Sequence, residues 1–303
     1  MGMFRSLRRR LRQSLIPASL IRDIEAQRIA QGRILTELNR SKPAQPISDT
    51  EFQVFSQWGE DGIIQKLVQH VPMKHKTFIE FGVENFVEAN CRFLMINNHW
   101  RGYVLDGSQE HIARIRKADW LSRYELRAAC EMITRENVNG VLQASGFDED
   151  LGLLSIDVDG VDYWLFDALT AYKPRILIVE YNSLFGATRK ISVPYDPSFT
   201  RRNTHYSELY FGASLAAWNH LADARGYALV GAESAGVNAF FVRKDVLGSQ
   251  LRPVAVDAAY VASNVRQSRD RNGRLDLLLL NDRQSTIAGL PVVNVETGAI
   301  ESV

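Results

Sequence analysis

The chain has 303 residues, of which 46% are hydrophobic and 23% charged, and this composition argues against wholesale disorder. Its net charge of +1 argues against nucleic-acid binding, since a nucleic-acid-binding protein is usually strongly basic. With only two cysteines, Cys91 and Cys130, we expect no disulfide framework or zinc cluster, and instead a reducing, cytoplasmic location.

The N-terminal segment is much more basic than the rest of the chain. Residues 1–42 contain ten Lys or Arg against three Asp or Glu, which gives 10 − 3 = +7 there and −6 elsewhere. Residues 3–39 predict a helix that breaks at Pro17. Four apolar residues of this helix follow a/d spacing: Ile21, Ile24, Leu35 and Leu38.

Several interpretations of this helix stay open. A basic amphipathic helix would lie peripherally on the inner face of a membrane, and the a/d spacing would suit pairing with a second copy in a homodimer. The segment could equally be a solvated extension or a transit peptide. No apolar run reaches the roughly 18 residues that a membrane-spanning helix needs.

A linker and a turn come next. Pro43 and Pro46 mark the linker that ends a helical extension of residues 1–47. Ser48 and Glu51 predict a capping box for a short helix. A loop that is rich in tryptophan and glycine, residues 55–62, leads into a helix that ends near His70.

The region from 77 to 245 alternates between strand and helix patterns. A helix is predicted over Glu88–Asn97, and five apolar segments predict strands: residues 77–83, 101–108, 124–129, 153–160 and 175–182. Tyr227–Ala232 and Asn238–Arg243 predict a closing hairpin with one antiparallel strand. The pattern indicates a doubly wound, mostly parallel α/β domain over 48–245, followed by a tail of residues 246–303 packed on its core.

A polar excursion of about 26 residues follows the fifth strand, from Ser183 to Glu208. Loops of this length inside a compact domain are usually functional. Its Arg201 and Arg202 are candidates for an acceptor site, and its His205 is a candidate base because histidine titrates near neutrality.

Five short motifs carry a resemblance to a known family. They are Ser56–Gly62 (SQWGEDG), Phe78–Glu84 (FIEFGVE), Val104–Ser108 (VLDGS), Ile156–Gly160 (IDVDG) and Val179–Asn182 (VEYN). In order and spacing the sequence resembles class I S-adenosylmethionine-dependent methyltransferases, and most of all the FkbM-like family of surface-polysaccharide gene clusters. The resemblance implies a Rossmann-like fold, S-adenosylmethionine as cofactor, and O-methylation of a sugar hydroxyl in a glycan, glycolipid or related metabolite.

The resemblance also implies the positions that hold the cofactor. Glu80 and Gly82 would meet its amino-acid part, and Asp106 its ribose hydroxyls, for which an acceptor-only carboxylate is suited. Ser108 would border the adenine. The remaining implied cofactor-binding residues are Gln57, Glu60, Asp61, Glu84, Asn85 and Asp157.

Acidic residues at two strand ends predict the catalytic chemistry. Asp157 and Asp159 are two apart, so on a regular strand they share one face. Carboxylates this close repel each other, which raises one pKa or recruits a cation. We expect Asp159, Glu180 and His205 to be catalytic, with Asp157, Asp159 and Glu180 as the ligands if a divalent cation takes part.

Two different functions compete with methyl transfer. Asp157-Val158-Asp159 is a DxD triplet, which metal-dependent glycosyltransferases use to hold a nucleotide sugar. The second is a non-catalytic scaffold that keeps a methyltransferase-like fold, favoured by the lack of further glycines after Gly82.

Overall fold

The computed structural model describes residues 17–303 and is built on a seven-stranded sheet. Its strands are β1 (Thr77–Phe81), β2 (Arg101–Asp106), β3 (Leu126–Cys130), β4 (Leu153–Ile156), β5 (Ile176–Glu180), β7 (Tyr227–Ala232) and β8 (Asn238–Arg243), while the short β6 (Ile191–Ser192) belongs to a separate sheet. Their order is β3-β2-β1-β4-β5-β8-β7. β8 runs antiparallel to β5 and β7, and the pairs among β1 to β5 are parallel. The expected doubly wound sheet with an antiparallel hairpin strand is confirmed.

Helices cover both faces of this sheet. The helices up to residue 224 are α1 (Ala18–Arg40), α2 (Glu60–His70), α3 (Arg92–Asn98), α4 (Gln109–Arg116), α5 (Val138–Gln143), α6 (Asp162–Ala168), α7 (Arg201–Thr204) and α8 (Leu215–Ala224). Alternate residues of β1 enter opposite cores, so Phe78 packs with α2, α3 and α4, whereas Ile79 packs with α5, α6 and α8. Such two-sided burial explains why these strands are almost entirely apolar.

Both central strands end before the predicted boundaries. β1 ends at Phe81 rather than at residue 83, and β4 ends at Ile156 rather than at residue 160. The helix predicted from Glu88 begins at Arg92, because residues 82–91 form a loop at the end of β1. The extra residues therefore form turns at the sheet edge, where side chains are free to face a ligand.

The predicted capping box is wrong. A short 3₁₀ turn covers Ile47–Thr50, but no side chain caps its start. Glu51 instead accepts hydrogen bonds from the backbone N–H and the hydroxyl of Ser234, at 2.7 and 2.6 Å. A long-range contact has replaced the local one, so the motif alone could not identify the partner.

The basic N-terminal helix is confirmed as α1 from Ala18 onward, and the part of the prediction before Pro17 lies outside the described residues. Gly32 and Asn39 bury one side of α1 against the body of the protein. Within residues 17–303, no helix combines the length and the apolar character needed to cross a membrane.

The tail after residue 245 packs beside the carboxyl end of β5. It contains α9 (Val256–Ala259), α10 (Leu280–Ile287), β9 (Pro291–Asn294) and β10 (Ile300–Ser302), and β9 pairs with the excursion strand β6. Tyr181 donates its hydroxyl to the Val261 carbonyl at 2.9 Å, and the Ser263 N–H donates to the Ser183 hydroxyl at 3.1 Å. These bonds hold the tail against the sheet edge where the sequence motifs end.

Candidate functional site

Two neighbouring cavities lie at the carboxyl ends of the parallel strands. The first, of about 330 Å³, lies between the ends of β1 and β5, the turn of the β7–β8 hairpin and the tail. The second, of about 460 Å³, lies over the ends of β2, β3 and β4. Both are lined by Gly82, Glu84, Asp157, Asp159, Arg201 and Gln267. In doubly wound sheets this edge is where ligands bind.

Gly82 makes the turn that brings the ends of β1 and β4 together. Its φ of +70° is left-handed, and a Cβ there would lie 1.5 Å from the Asp157 carbonyl oxygen. Only glycine fits this turn, because any side chain would push the two strand ends apart. The surface that the two cavities share therefore depends on Gly82, the glycine of the Phe78–Glu84 motif.

Glu80 lines the first cavity and also anchors the loop above it. Its two carboxylate oxygens accept the backbone N–H groups of Asn90 and Cys91, at 2.7 and 3.1 Å. Burial raises the pKa of Glu80 to about 7, against the lowering effect of these hydrogen bonds. Its structural role is thus to fix residues 82–91 at the edge of the cavity.

Asp106 lies at the end of β2 and lines the second cavity. Its Oδ1 accepts the Ser108 N–H at 2.7 Å and lies 3.1 Å from His111 Nδ1, while Oδ2 accepts the Glu84 N–H at 2.8 Å. A carboxylate has about four acceptor positions, so three are used and one on Oδ2 is left for a ligand. The arrangement suits one hydroxyl group of a ribose.

Three carboxylates and one guanidinium meet where the two cavities join. Oxygens of Asp157, Asp159 and Glu180 lie within 4.8 Å of one another. Arg201 Nη1 lies 2.7 Å from Asp159 Oδ1 and 3.7 Å from Glu180 Oε1. The guanidinium also lies over the Phe211 ring, 3.7 Å from its centroid, which restricts its position.

The expectation that Asp157 and Asp159 share a strand face is wrong. β4 has already ended at Ile156, and Asp159 has a left-handed φ of +57°. The Asp162 carboxylate stabilises this turn by accepting the N–H groups of Val158 and Gly160, at 2.7 and 2.9 Å. The two acids come together through the turn.

Glu180 is the carboxylate best placed to take up a proton. Burial, followed by repulsion from Asp157, raises its pKa well above the ordinary value. Burial and then repulsion from Asp159 likewise raise the pKa of Asp157. Glu180 lines the first cavity, and its Oε2 is buried without a hydrogen-bond partner among the described residues. Its carboxylate therefore keeps an acceptor position that no described residue uses.

The same three carboxylates partly fit a divalent cation. Converging carboxylate oxygens are ligands that hard cations prefer, and the unpartnered Oε2 of Glu180 is free to coordinate. Arg201, however, already supplies a positive charge to Asp159 and Glu180. A cation would replace that contact, and the metal site stays a prediction.

Four buried polar atoms of the first cavity have no partner within residues 17–303. Two are donors, Trp58 Nε1 and Arg283 Nε, and two are acceptors, Glu180 Oε2 and Asn238 Oδ1. Buried polar groups are rarely left unpaired, so these atoms indicate a ligand that both donates and accepts hydrogen bonds. Asn238 and Arg283 were missed by sequence reasoning, since neither belongs to a recognisable motif.

Glu60 and Asp61, predicted to bind the cofactor, lie behind the wall of the first cavity. Asp61 Oδ2 accepts the N–H groups of Val54, Phe55 and Ser56 at 2.7 to 2.8 Å. Glu60 accepts the Trp58 N–H at 2.9 Å and the Asn238 amide at 2.7 Å. These acids shape the loop that carries Gln57 and Trp58, both of which line the cavity.

Three more of the predicted residues do not line either cavity. Asn85 accepts the Val87 N–H at 3.0 Å, and Ser108 caps α4 by accepting the His111 N–H. His205 Nδ1 lies 2.7 Å from the Ser207 hydroxyl, and burial lowers the pKa of His205, with a further contribution from Arg271. The structure thus does not bring His205 to the acid cluster.

No protein-family model and no curated protein matches the chain. Three similar solved structures are a StiE O-MT fragment, an O-methyltransferase family protein from Burkholderia thailandensis and human N-acetylserotonin methyltransferase in complex with SAM. Their identities are 14, 12 and 14%, and their TM-scores are 0.30, 0.36 and 0.35. The matches cover 51, 71 and 76% of this chain and 47, 58 and 60% of those chains. Likenesses at this level do not assign a function to this chain, so its function has to be inferred from the geometry of the two cavities.

Proposed function

We propose that this protein is an S-adenosylmethionine-dependent O-methyltransferase that acts on a sugar hydroxyl, as in the FkbM-like family that its motifs resemble. The observation that carries the proposal is the pair of joined cavities. The second cavity contains the acceptor-only carboxylate of Asp106 at the end of β2. The buried carboxylate of Glu180, whose pKa is raised, lines the first cavity near the junction of the two. A diol-bearing nucleoside and a hydroxyl acceptor are the two ligands that this pair fits.

The second cavity is the proposed nucleoside site. The free acceptor position on Asp106 Oδ2 takes a ribose hydroxyl, and the end of β3 at Glu131 borders the base. Toward Gly82 the two cavities meet, and the amino-acid part of the cofactor would lie there, at the loop held by Glu80. Trp58 Nε1 and Gln57 complete that side.

The acid cluster at the junction supports proton removal. When bound, S-adenosylmethionine would supply an electrophilic methyl group to the acceptor oxygen, with the neutral thioether sulfur as the leaving group. The hydroxyl proton goes to Glu180, because burial and the neighbouring Asp157 raise the pKa of this carboxylate and make it a stronger proton acceptor than an ordinary glutamate. Asp157 keeps that pKa high, and Arg201 limits the combined charge of the cluster.

The first cavity suits an uncharged, hydroxyl-rich acceptor. Six acidic residues line it, Glu80, Glu84, Glu88, Asp157, Asp159 and Glu180, whereas its basic residues are Arg201 and Arg283. An anionic acceptor would add a further negative charge to this excess of carboxylates, whereas a sugar hydroxyl is uncharged and both donates and accepts hydrogen bonds. Hydroxyls can therefore satisfy the unpartnered atoms away from Trp58, which are Arg283 Nε, Glu180 Oε2 and Asn238 Oδ1.

The excess of acidic residues in the first cavity also argues against glycosyl transfer. A nucleotide sugar brings a diphosphate, and Asp157 and Asp159 could hold it only through a cation. Arg201 competes for that position at 2.7 Å from Asp159. We further propose a cytoplasmic enzyme, since Cys91 and Cys130 are both free thiols.

Calorimetric titration tests the proposal. Wild-type protein should bind S-adenosylhomocysteine, and Asp106→Ala should bind it at least about tenfold more weakly, because a hydrogen bond to a charged group is lost. Asp23→Ala on the exposed side of α1 is the matched control and should bind like the wild type. Binding of UDP or GDP with manganese in place of S-adenosylhomocysteine would establish a glycosyltransferase instead. No binding of any of them would favour the scaffold.

A further inference from the structure

The imidazole of His111 lies beside Asp106 in the second cavity. His111 occupies the first turn of α4 and belongs to none of the five sequence motifs. Its backbone N–H donates to the Ser108 hydroxyl that caps this helix, and its ring Nδ1 lies 3.1 Å from Asp106 Oδ1. These two contacts hold the ring at the end of β2, where the proposed nucleoside site begins.

The contact with Asp106 determines which ring nitrogen of His111 carries a hydrogen. An ionised carboxylate only accepts hydrogen bonds, so Nδ1 is assigned as the donor to Asp106 Oδ1. In a neutral imidazole the other nitrogen, Nε2, then keeps its lone pair. Among residues 17–303 no group forms a hydrogen bond with Nε2, and the side chain, which lines the cavity, is 31% exposed. The ring therefore keeps one polar atom for a ligand.

A ribose has two neighbouring hydroxyl groups, and Asp106 has room for only one of them. Three of its roughly four acceptor positions are used, by the N–H groups of Ser108 and Glu84 and by the His111 ring. A ribose hydroxyl that leaves water without finding a new partner would weaken binding. The second hydroxyl therefore needs another polar group close to Asp106.

We propose that His111 is a cofactor-binding residue, whose Nε2 forms a hydrogen bond with the ribose hydroxyl that Asp106 does not bind. This inference rests on the proposed function, because it concerns the nucleoside part of S-adenosylmethionine. A hydroxyl group both donates and accepts hydrogen bonds, so it pairs with Nε2 whether or not the ring is protonated. Asp106 and His111 together then recognise a diol and discriminate against a deoxyribose.

One substitution separates this role from mere support of Asp106. His111→Asn keeps an amide donor near the position of Nδ1 but has no atom at the position of Nε2. It should therefore leave the contact with Asp106 in place and remove the bond to the hydroxyl. His99→Asn is the matched control, since it makes the same change at an exposed residue that lines neither cavity.

Calorimetric titration with S-adenosylhomocysteine and its 2′-deoxy and 3′-deoxy analogues tests the contact. His111→Asn should bind S-adenosylhomocysteine about 3- to 10-fold more weakly than the wild type, the worth of one hydrogen bond, and His99→Asn should bind it like the wild type. One of the two analogues lacks the hydroxyl that Nε2 binds. For that analogue the wild type and His111→Asn should bind equally, whereas the other analogue should still show the difference.

The comparison among ligands uses the same two proteins, so a general destabilisation by His111→Asn does not affect it. An equal loss with all three ligands would show that His111 acts only by supporting Asp106 and would overturn the proposal, as would unchanged binding of S-adenosylhomocysteine. If Asp106→Ala still binds at least about tenfold more weakly in that case, the failure is confined to His111 and the proposed function stands. A wild type that binds none of the three ligands would overturn both.

Discussion

Lowering the pH from 8 to 5 should stabilise this protein. Glu80 has a folded-state pKa of about 7 and an ordinary value of 4.5, because burial disfavours its charged form. Between these two values the folded state binds more protons than the unfolded state does. The free energy of unfolding therefore falls as the pH rises through this window, and the stability that Glu80 contributes is complete only below about pH 4.5.

The two pKa values set the size of the effect. Linkage over the interval from pH 8 to pH 5 gives about 2.5 kcal/mol for Glu80 alone. Asp61 and Glu233, whose pKa values burial raises to about 6 and about 7, act in the same direction. Their contributions do not simply add to that of Glu80, since the charge of Asp61 is itself one cause of the raised pKa of Glu80.

Urea unfolding at pH 5, 6, 7 and 8 measures this dependence. The wild type should lose stability between pH 5 and pH 8, although His70 and His205, whose pKa values burial lowers, oppose the trend, and Glu80→Gln should lose about 2.5 kcal/mol less over the same range. The comparison uses the slope, so a general destabilisation by the substitution does not affect it. A wild type that is more stable at pH 8, or equal slopes in both proteins, would refute the assigned burial of Glu80.

Three further substitutions test the site. Gly82→Ala should lower the free energy of unfolding by more than about 3 kcal/mol in thermal denaturation. The control Gly146→Ala, at a glycine with a similar φ of +68° but open space around it, should cost about 1–2 kcal/mol. Equal losses would contradict the close contact of Gly82 with the end of β4. Arg201→Met should cost about 1–3 kcal/mol at pH 8 and less as the pH falls, because the raised pKa of Glu180 lets it take up a proton earlier than an ordinary glutamate; a pH-independent loss in urea unfolding would argue against the charge cluster. Asp106→Asn should weaken binding of S-adenosylhomocysteine about 10- to 150-fold in calorimetry, and unchanged affinity would exclude Asp106 from the ribose site.

The sheet was predictable from the sequence because its strands are buried on both faces. Near-continuous apolar segments such as Ile176–Glu180 are typical of a parallel strand, and the hairpin strands Tyr227–Ala232 and Asn238–Arg243 were predicted with the bounds that the structure shows. Strand ends were predicted less well. A valine stands two positions after the last residue of β1 and of β4, Val83 and Val158, and it extended the predicted strands past their true ends.

The candidate site was predictable where it lies at a strand end. Asp106, Asp157 and Glu180 end their strands or follow them directly, so topology alone brings them to one edge of the sheet. Arg283 and Asn238 were not predicted as part of it, because they reach the cavity through packing of the tail and of a hairpin turn. Sequence spacing has no information on such distant contacts.

Some of the predicted site residues do not face the cavity but stabilise the loop that lines it. Asp61 lies in the same motif as Gln57, yet its carboxylate turns inward to hold three backbone N–H groups of the loop. An acid that binds a ligand and an acid that shapes the loop look identical in sequence. Only the direction of the side chain separates the two roles.

A crystal structure of the protein with S-adenosylhomocysteine would test the proposed cofactor site most directly. We expect the ribose within hydrogen-bonding distance of Asp106 Oδ2, the base beside Glu131, and the sulfur near the junction lined by Gly82 and Asp157. A bound S-adenosylhomocysteine whose ribose lies away from Asp106 would contradict the proposed site. A ligand outside both cavities would contradict it too, because the methyl group would then not point toward an acceptor hydroxyl beside Glu180.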